Sequence, residues 1–315
     1  MKSERNDNKS VAVILSTYNG AKYLRQQIDS ILHQTYENIT LFIRDDGSKD
    51  DTLNIICEYL ENEYSVKIVL IEDGLGNVGF GESFCRIIAA ATGYDYYAFC
   101  DQDDYWLENK IELAVEEMSK YDRDEYLLWT ANYFVTDEKL EKRRLANQES
   151  PLLKLNLYNH CFHGLISGFS IVINNKLKEV AFGQNDYYPA YHDRWVVLIV
   201  LALKGKLLYS EEPLVFYRRY DGVTSSTEQP VLRKLIWRIK NVIKGSYLQD
   251  IRDSLTRFYA VHKHELTDEQ SSRFFEIFTG TNFGCYLRRI FFPHQLRRTV
   301  VDEILLRVLF VFNKY

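Results

Sequence analysis

The sequence predicts an α/β protein: a mostly parallel sheet flanked by helices, followed by a helical extension. Three observations carry this. Short runs of apolar β-formers alternate with stretches of helical periodicity over short connections, the pattern of a parallel sheet covered by helices. Polar and glycine-rich clusters fall directly after the apolar runs, where open α/β sheets bind ligands. Beyond residue 230 the chain becomes helical in pattern and basic. A length of 315 residues holds one large domain and an appendage.

Taken in order, VAVILST (11–17) is a run of β-formers and reads as a buried strand. Tyr23, Leu24, Ile28, Ile31 and Leu32 lie at helical spacing and predict a helix over about 20–34. LFIRD (41–45) is the second strand, ended by the turn formers Asp46, Gly47 and Ser48. Asp50 or Asp51 then caps a helix reaching about Tyr64. VKIVLIE (66–72) is the third strand, and the glycine-rich GLGNVGFGES opens a helix over about 83–92. YDYYAFCD (94–101) is a fourth strand that ends in carboxylates. A helix from Trp106 to about Tyr121, a strand at 127–137 and a polar, mobile loop at 138–160 follow. SGFSIVIN (167–174) reads as a strand and HDRWVVLIVLAL (192–203) as an apolar helix with a polar start. KLLYSEEPLVFYRRY (206–220) reads as a hairpin or two short strands, and DGVTSSTEQP (221–230) has linker composition.

Five cysteines at 57, 85, 100, 161 and 285 form no CxxC pair. They suit neither a disulfide framework nor a zinc site and point to a reducing cytosol. No apolar stretch approaches the roughly 20 residues of a spanning helix, and the charged MKSERNDNKS reads as a lead into a strand and not as a signal peptide. The net charge of −5 is unevenly divided. From residue 231 onward there are 15 Lys and Arg against 8 Asp and Glu, whereas residues 1–230 carry 24 against 36. An acidic body argues against nucleic acid as the partner. A basic tail with the apolar runs LIWRIKNVIKGSYL (235–248), LRRIFFPHQLRR (287–298) and ILLRVLFVF (304–312) suits an anionic membrane surface. The same tail also reads as a helical subdomain or a homo-oligomer interface.

Asp101, Gln102, Asp103 and Asp104 close a hydrophobic strand. Three carboxylates in four residues repel one another, and a divalent cation such as Mn²⁺ or Mg²⁺ relieves that cost. A helix cap ahead of Leu107 and Ile111 is the competing reading. Asp45, Asp46, Gly47 and Ser48 read equally as a turn. Gly74, Gly76, Gly79 and Gly81 permit close approach of backbone to a phosphate, and Thr17-Tyr18-Asn19 reads equally as a helix cap.

In order and spacing, STYNG, RDDGSKDD, GNVGFGES and CDQDDYW resemble the family 2 glycosyltransferases of the GT-A fold over roughly residues 10–225. The DQDD-x-W form resembles the bacterial rhamnosyltransferase branch. That resemblance implies a catalytic domain over 1–228, with a donor half at about 10–110 and an acceptor half at about 111–228. The basic helical region is 229–315. It implies that Thr17, Tyr18, Asn19 and Asp46 hold the base and ribose of a nucleotide-sugar, with Gly79 bordering the nucleotide. Asp101 and Asp103 would bind the metal and diphosphate, Gln102 would join the donor contacts, and Asp104 would position the sugar. Gly168, in SGFS, resembles the family's sugar-lining strand. Asp193, in HDRW, sits where related enzymes carry the base of an inverting transfer, although it also suits a helix cap. Arg218 or Arg219 resembles the element that folds over the diphosphate, with Tyr220 in place of the usual His. The expected activity is transfer of a sugar, L-rhamnose from dTDP-L-rhamnose or a hexose from UDP, to a bacterial surface glycan or lipid-linked oligosaccharide. The enzyme would be cytoplasmic and peripheral at the inner face of the cell membrane. A nucleotidyltransferase fits less well, because STYNGAKYLRQQ is a poor match to its basic glycine loop. An inactive sugar-binding protein fits poorly with Asp101, Asp103 and Asp193 all present.

Overall fold

A computed structural model describes residues 9–141, 143–183, 189–219, 246–312 and 315. Its sheet begins with β1 (Val11–Thr17), β2 (Ile39–Asp45), β3 (Lys67–Leu70) and β4 (Tyr96–Cys100), all parallel, in the spatial order β3-β2-β1-β4. Val11 to Leu15 are wholly buried, as a strand covered on both faces requires. Strand order reverses between β1 and β4, so their carboxyl ends open a crevice between neighbouring loops. Helices α1 (Ala21–Leu32), α2 (Thr52–Leu60), α3 (Phe80–Ala90) and α4 (Lys110–Met118) follow their strands. In α1 the residues at helical spacing, Tyr23, Leu24, Ile28 and Ile31, form the buried face.

Past β4 the sheet changes character. β5 (Tyr105–Trp106), β6 (Leu127–Thr136), β7 (Arg143–Leu145), β8 (Val172–Asn174) and β9 (Lys206–Arg218) extend it as β4-β8-β6-β9-β5, with β7 on β6. β8 is antiparallel to β4 and β6, whereas β9 runs parallel to β6. The expected α/β class with a mainly parallel sheet holds. Three local expectations do not. The span 138–160 is not one loop: it contains β7, a 3-10 turn at Pro151–Lys154 and the start of α5 (Leu157–His163). Asn156 caps α5 through a reciprocal pair with Asn159, a signal hidden in a polar stretch. Residues 167–174 are a 3-10 turn (Gly168–Ser170) before the short β8. Residues 206–218 are one strand, because both halves pair with β6 and the Glu211-Glu212 segment is absorbed as a register shift opposite Ala131 and Asn132.

Two further helices, α6 (Asn175–Phe182) and α7 (His192–Ala202), follow β8. The chain divides into two compact units: Met1–Leu153, Ile166–Val200 and Lys204–Tyr220 in one, Lys154–Leu165, Leu201–Leu203 and Asp221–Tyr315 in the other. Residues 154–165 thus belong with the C-terminal region although they lie inside the span 1–228. The expected boundary at 228, the linker 221–230, Tyr220 and most of 235–248 lie outside the described residues.

The second unit contains α5, α8 (Ser246–His262), α9 (Glu269–Thr279), α10 (Phe283–Ile290) and α11 (Val300–Val311). Side-chain oxygens of Asp268, Asn282 and Thr299 accept from the backbones of Ser271, Cys285 and Asp302, setting three helix starts. Its core is aromatic: Phe162, Phe274, Phe278, Phe310 and Tyr315 are buried together, with Phe162 5.3 Å from Phe278.

Candidate active site

At the carboxyl ends of β1 and β2 the two loops fasten each other. Thr17 is buried, and its hydroxyl donates to Asp45 Oδ1 at 2.9 Å. Asn19 takes a left-handed conformation (φ 49°), as asparagine tolerates. Its N–H donates to Ser48 Oγ, and its side-chain oxygen accepts from Lys49 N, each at 2.8 Å. The start of α1 has no side-chain cap of its own because Gly20 stands there. Asp50 and Thr52 supply it from across the loop, accepting from Ala21 N and Gly20 N. Tyr18 is left half exposed at the rim.

Asp46 is buried and its carboxylate accepts from Arg44 (2.6 Å), Val78 N (2.8 Å) and Gly79 N (2.9 Å). These bonds pin the glycine loop to β2. Gly79, at φ 88°, turns the chain into α3. Arg44 is 1% exposed and also donates to both Asp73 oxygens and to Gly76 O. Arg44 and Asp73 were not singled out in the sequence. The one signal for them was an arginine inside an otherwise apolar strand.

The acidic run leaves β4 beside that loop pair. Gln102 clamps the Tyr18 backbone from both sides: its Oε1 accepts from Tyr18 N (2.8 Å) and its Nε2 donates to Tyr18 O (3.0 Å). A β-carbon on Gly20 would meet Gln102 Oε1 at 2.2 Å, so the clamp needs glycine there. Burial pushes the Asp101 carboxyl up, and Asp103 and Asp193 push it further. Asp193 is therefore within electrostatic reach of Asp101, from far along the chain. Asp104 is fully buried, and burial raises its carboxyl well above the ordinary range. Below it lies Lys110, also fully buried, 3.3 Å from the centre of the Trp106 ring and pushed down to about 7 by burial. Lys110 was missed because it occupies the core face of α4 with Ile111, Ala114 and Met118, where apolar residues are expected.

Arg218 is buried and donates to Asp103 O at 2.9 Å, to Glu138 O and to Gln26 Oε1 at 2.8 Å. It braces the acidic run from behind. Arg219 is half-buried with its guanidinium 4.9 Å from the Tyr217 ring centre.

Asp193 lies in the first turn of α7, its Oδ1 accepting from Arg194 N at 2.7 Å. His192 beside it is buried in an aromatic cage, stacked on Phe84 at 4.0 Å and edge-on to Phe99. Burial pushes its imidazole down to about 4, so it is neutral at pH 7. A β-carbon on Gly168 would stand 3.2 Å from His192 Nε2 and 3.4 Å from Asp193 Cβ, so Gly168 lets α7 begin this close to the 3-10 turn. The structure thus groups Asp101, Gln102, Asp103, Asp104 and Asp193, with Thr17, Asn19, Asp46 and Arg218 fastening the loops around them. Among the described residues no three His, Cys, Asp or Glu side chains form a self-contained metal cage. A cation here would be completed by substrate oxygens, as Mg²⁺ commonly is.

Residues 12–179 match the model of glycosyl transferase family 2. An uncharacterized glycosyltransferase of Rickettsia typhi is 28% identical over 267 residues, 77% of this chain and 78% of that protein. Another, of Rickettsia felis, is 34% identical over 199 residues, 61% of this chain and 32% of the relative, so the match spans about a third of its length. The dTDP-rhamnosyl transferase RfbG of Shigella flexneri is 38% identical over 104 residues, 32% of this chain and 36% of RfbG. Among solved structures, S. aureus TarS 1–349 in complex with UDP-GlcNAc has a TM-score of 0.57 at 16% identity, covering 97% of this chain and 80% of TarS. The mannosyltransferase PcManGT from Pyrobaculum calidifontis, in complex with GDP-Man and Mn²⁺, has a TM-score of 0.53 at 15% identity, covering 99% and 90%. These two structures bear on the fold, which is of the GT-A type.

Proposed function

The chain belongs to glycosyl transferase family 2 and is a nucleotide-sugar-dependent glycosyltransferase, and from that premise we propose an inverting transfer with Asp193 as base and Asp101 and Asp103 at the donor diphosphate. The observation that carries this is the convergence of Asp193, from the start of α7, on the acidic run at the end of β4. The acceptor hydroxyl gives its proton to the Asp193 carboxylate as its oxygen bonds the anomeric carbon. The bond from that carbon to the diphosphate breaks on the opposite face. Bound Mn²⁺ or Mg²⁺ would supply positive charge for the departing diphosphate. Crowded carboxylates and acid-raising burial at Asp101 fit such an ion. In this reading Tyr18 would meet the nucleotide base and Arg219 the diphosphate.

The proposed donor is dTDP-L-rhamnose, supported by the match to RfbG, with a UDP-hexose as the alternative. The proposed acceptor is a surface glycan or lipid-linked oligosaccharide, reached at the inner face of the cell membrane. Among the described residues no helix is long and apolar enough to cross a membrane, so contact would be peripheral. A thermal-shift screen of dTDP-, UDP- and GDP-sugars with Mn²⁺ identifies the donor, because a ligand of the native state raises apparent stability. Asp103→Ala should keep the fold and lose metal-dependent turnover. Asp193→Asn should bind donor like the parent while turnover falls on the order of a hundredfold or more. Unchanged turnover in Asp193→Asn would place the base elsewhere.

A further inference from the structure

The C-terminal unit leaves two apolar stripes uncovered. On α11, Val300, Val301, Ile304, Val308 and Val311 are all exposed and fall within a roughly 100° arc of the helix. Leu306, Leu309 and Phe310 fill the opposite, buried face. Along α10 and its C-cap, Phe283, Leu287 and Phe291 recur every four residues and are likewise exposed, Phe291 at 78%. Tyr286 donates to Val311 O at 2.7 Å, and Arg307 donates to Arg289 O and His294 O at 2.9 and 2.8 Å. The two stripes are therefore held in one fixed arrangement. Single exposed apolar residues are ordinary, but a contiguous set marks an interaction surface.

A cleft of about 450 Å³ adjoins the α10 stripe, lined by Tyr158, Phe274, Phe291 and Phe292 with Arg273 and Arg288. Both arginines are exposed, and among the described residues no acidic side chain lines the cleft. We infer that this face of the C-terminal unit seats on an anionic bilayer surface. In this arrangement Phe291, Ile304 and their neighbours enter the interface, and the Arg273–Arg288 cleft takes a lipid phosphate. This deepens the peripheral membrane contact of the proposed function and rests on it. Charge selects the occupant. The two exposed arginines of the cleft face no acidic lining among the described residues, and guanidinium groups bind phosphate oxygens in pairs. A second copy seated on the same face would bring like-charged arginines together. A 12-residue helix is about 18 Å long and lies along an interface instead of crossing one.

The test is sedimentation of the full chain with phosphatidylcholine vesicles, with and without phosphatidylglycerol. The parent should bind only the anionic vesicles, and less as salt rises. Phe291→Ser with Ile304→Ser should lower partition about tenfold or more. Arg273→Gln with Arg288→Gln should lower it at low salt and little at high salt. All four positions are exposed, so unfolding curves should match the parent. No binding by the parent, equal binding to both vesicle types, or parent-like binding by either double variant overturns the inference. So does a parent dimer in solution that Ile304→Ser dissociates. Donor hydrolysis measured without vesicles separates the two readings. Its absence from the parent would sink the transferase mechanism while leaving vesicle binding as it is.

Discussion

Arg44 holds Asp46, Asp73 and the glycine loop from a position 1% exposed to solvent. Arg44→Met leaves the Asp46 carboxylate buried without its cation, so unfolding free energy should drop by about 3–5 kcal/mol. Urea titration of both proteins reads this directly, and a loss below about 1 kcal/mol would mean the loop amides alone satisfy Asp46. His192 gives a pH signature. Its folded pKa of about 4 lies below the unfolded value of 6.5, so the unfolded chain takes up the proton first as pH falls. Stability is full above about pH 6.5 and declines toward pH 4, by on the order of 3 kcal/mol from this group. His192→Phe should lose that component of the acid slope, and an unaltered slope would show that the histidine is not buried neutral. Gly168→Ala presses a methyl onto His192 and Asp193. Turnover should fall at least tenfold with donor affinity kept, as measured by calorimetry beside a transfer assay.

At the scale of elements, the donor crevice is two loops joined by one side chain. The Gln102 clamp on Tyr18 ties the end of β4 to the end of β1. Gln102→Ala removes both bonds and frees the loops to separate, so donor affinity should weaken by about tenfold, the worth of one or two hydrogen bonds. Equal donor affinity in the variant would show that donor binding does not depend on the clamp. The strand-end motifs STYNG, RDDGSKDD and DQDD were legible because turn formers and carboxylates interrupt apolar runs. Their division of labour was not. Thr17, Asn19 and Asp46 bond other loop atoms, and which partner each finds depends on loops 28 to 33 residues away.

On the scale of the whole molecule, α5 is the informative element. It lies between β7 and β8 in sequence, but Leu157 and Phe162 are buried in the second unit, where Phe162 meets Phe278, Phe310 and Tyr315. A chain ended at residue 219 would expose both residues and should bind a hydrophobic dye and aggregate. Leu157→Ser with Phe162→Ser in that shortened chain should restore solubility. A shortened chain that stays monomeric and dye-free would show that α5 needs no C-terminal partner.

By itself the sequence determined the α/β class, the first four strands, the acidic run and the basic helical tail, because each depends on local period and composition. Val11 to Leu15 read as a buried strand from their β-forming composition, and DQDDYW after an apolar run reads as a charged strand end. Only the tertiary structure decided which charged groups are buried and against what. Arg44, Lys110 and His192 are polar in the sequence yet enclosed in the fold, and their partners come from other elements. It also decided that 206–218 is one strand, because pairing with β6 outweighs the turn propensity of its middle. That Asp193 lies within electrostatic reach of Asp101 belongs to the same class, since the nearness of residues so far apart in the chain is made by packing and leaves no trace in local sequence.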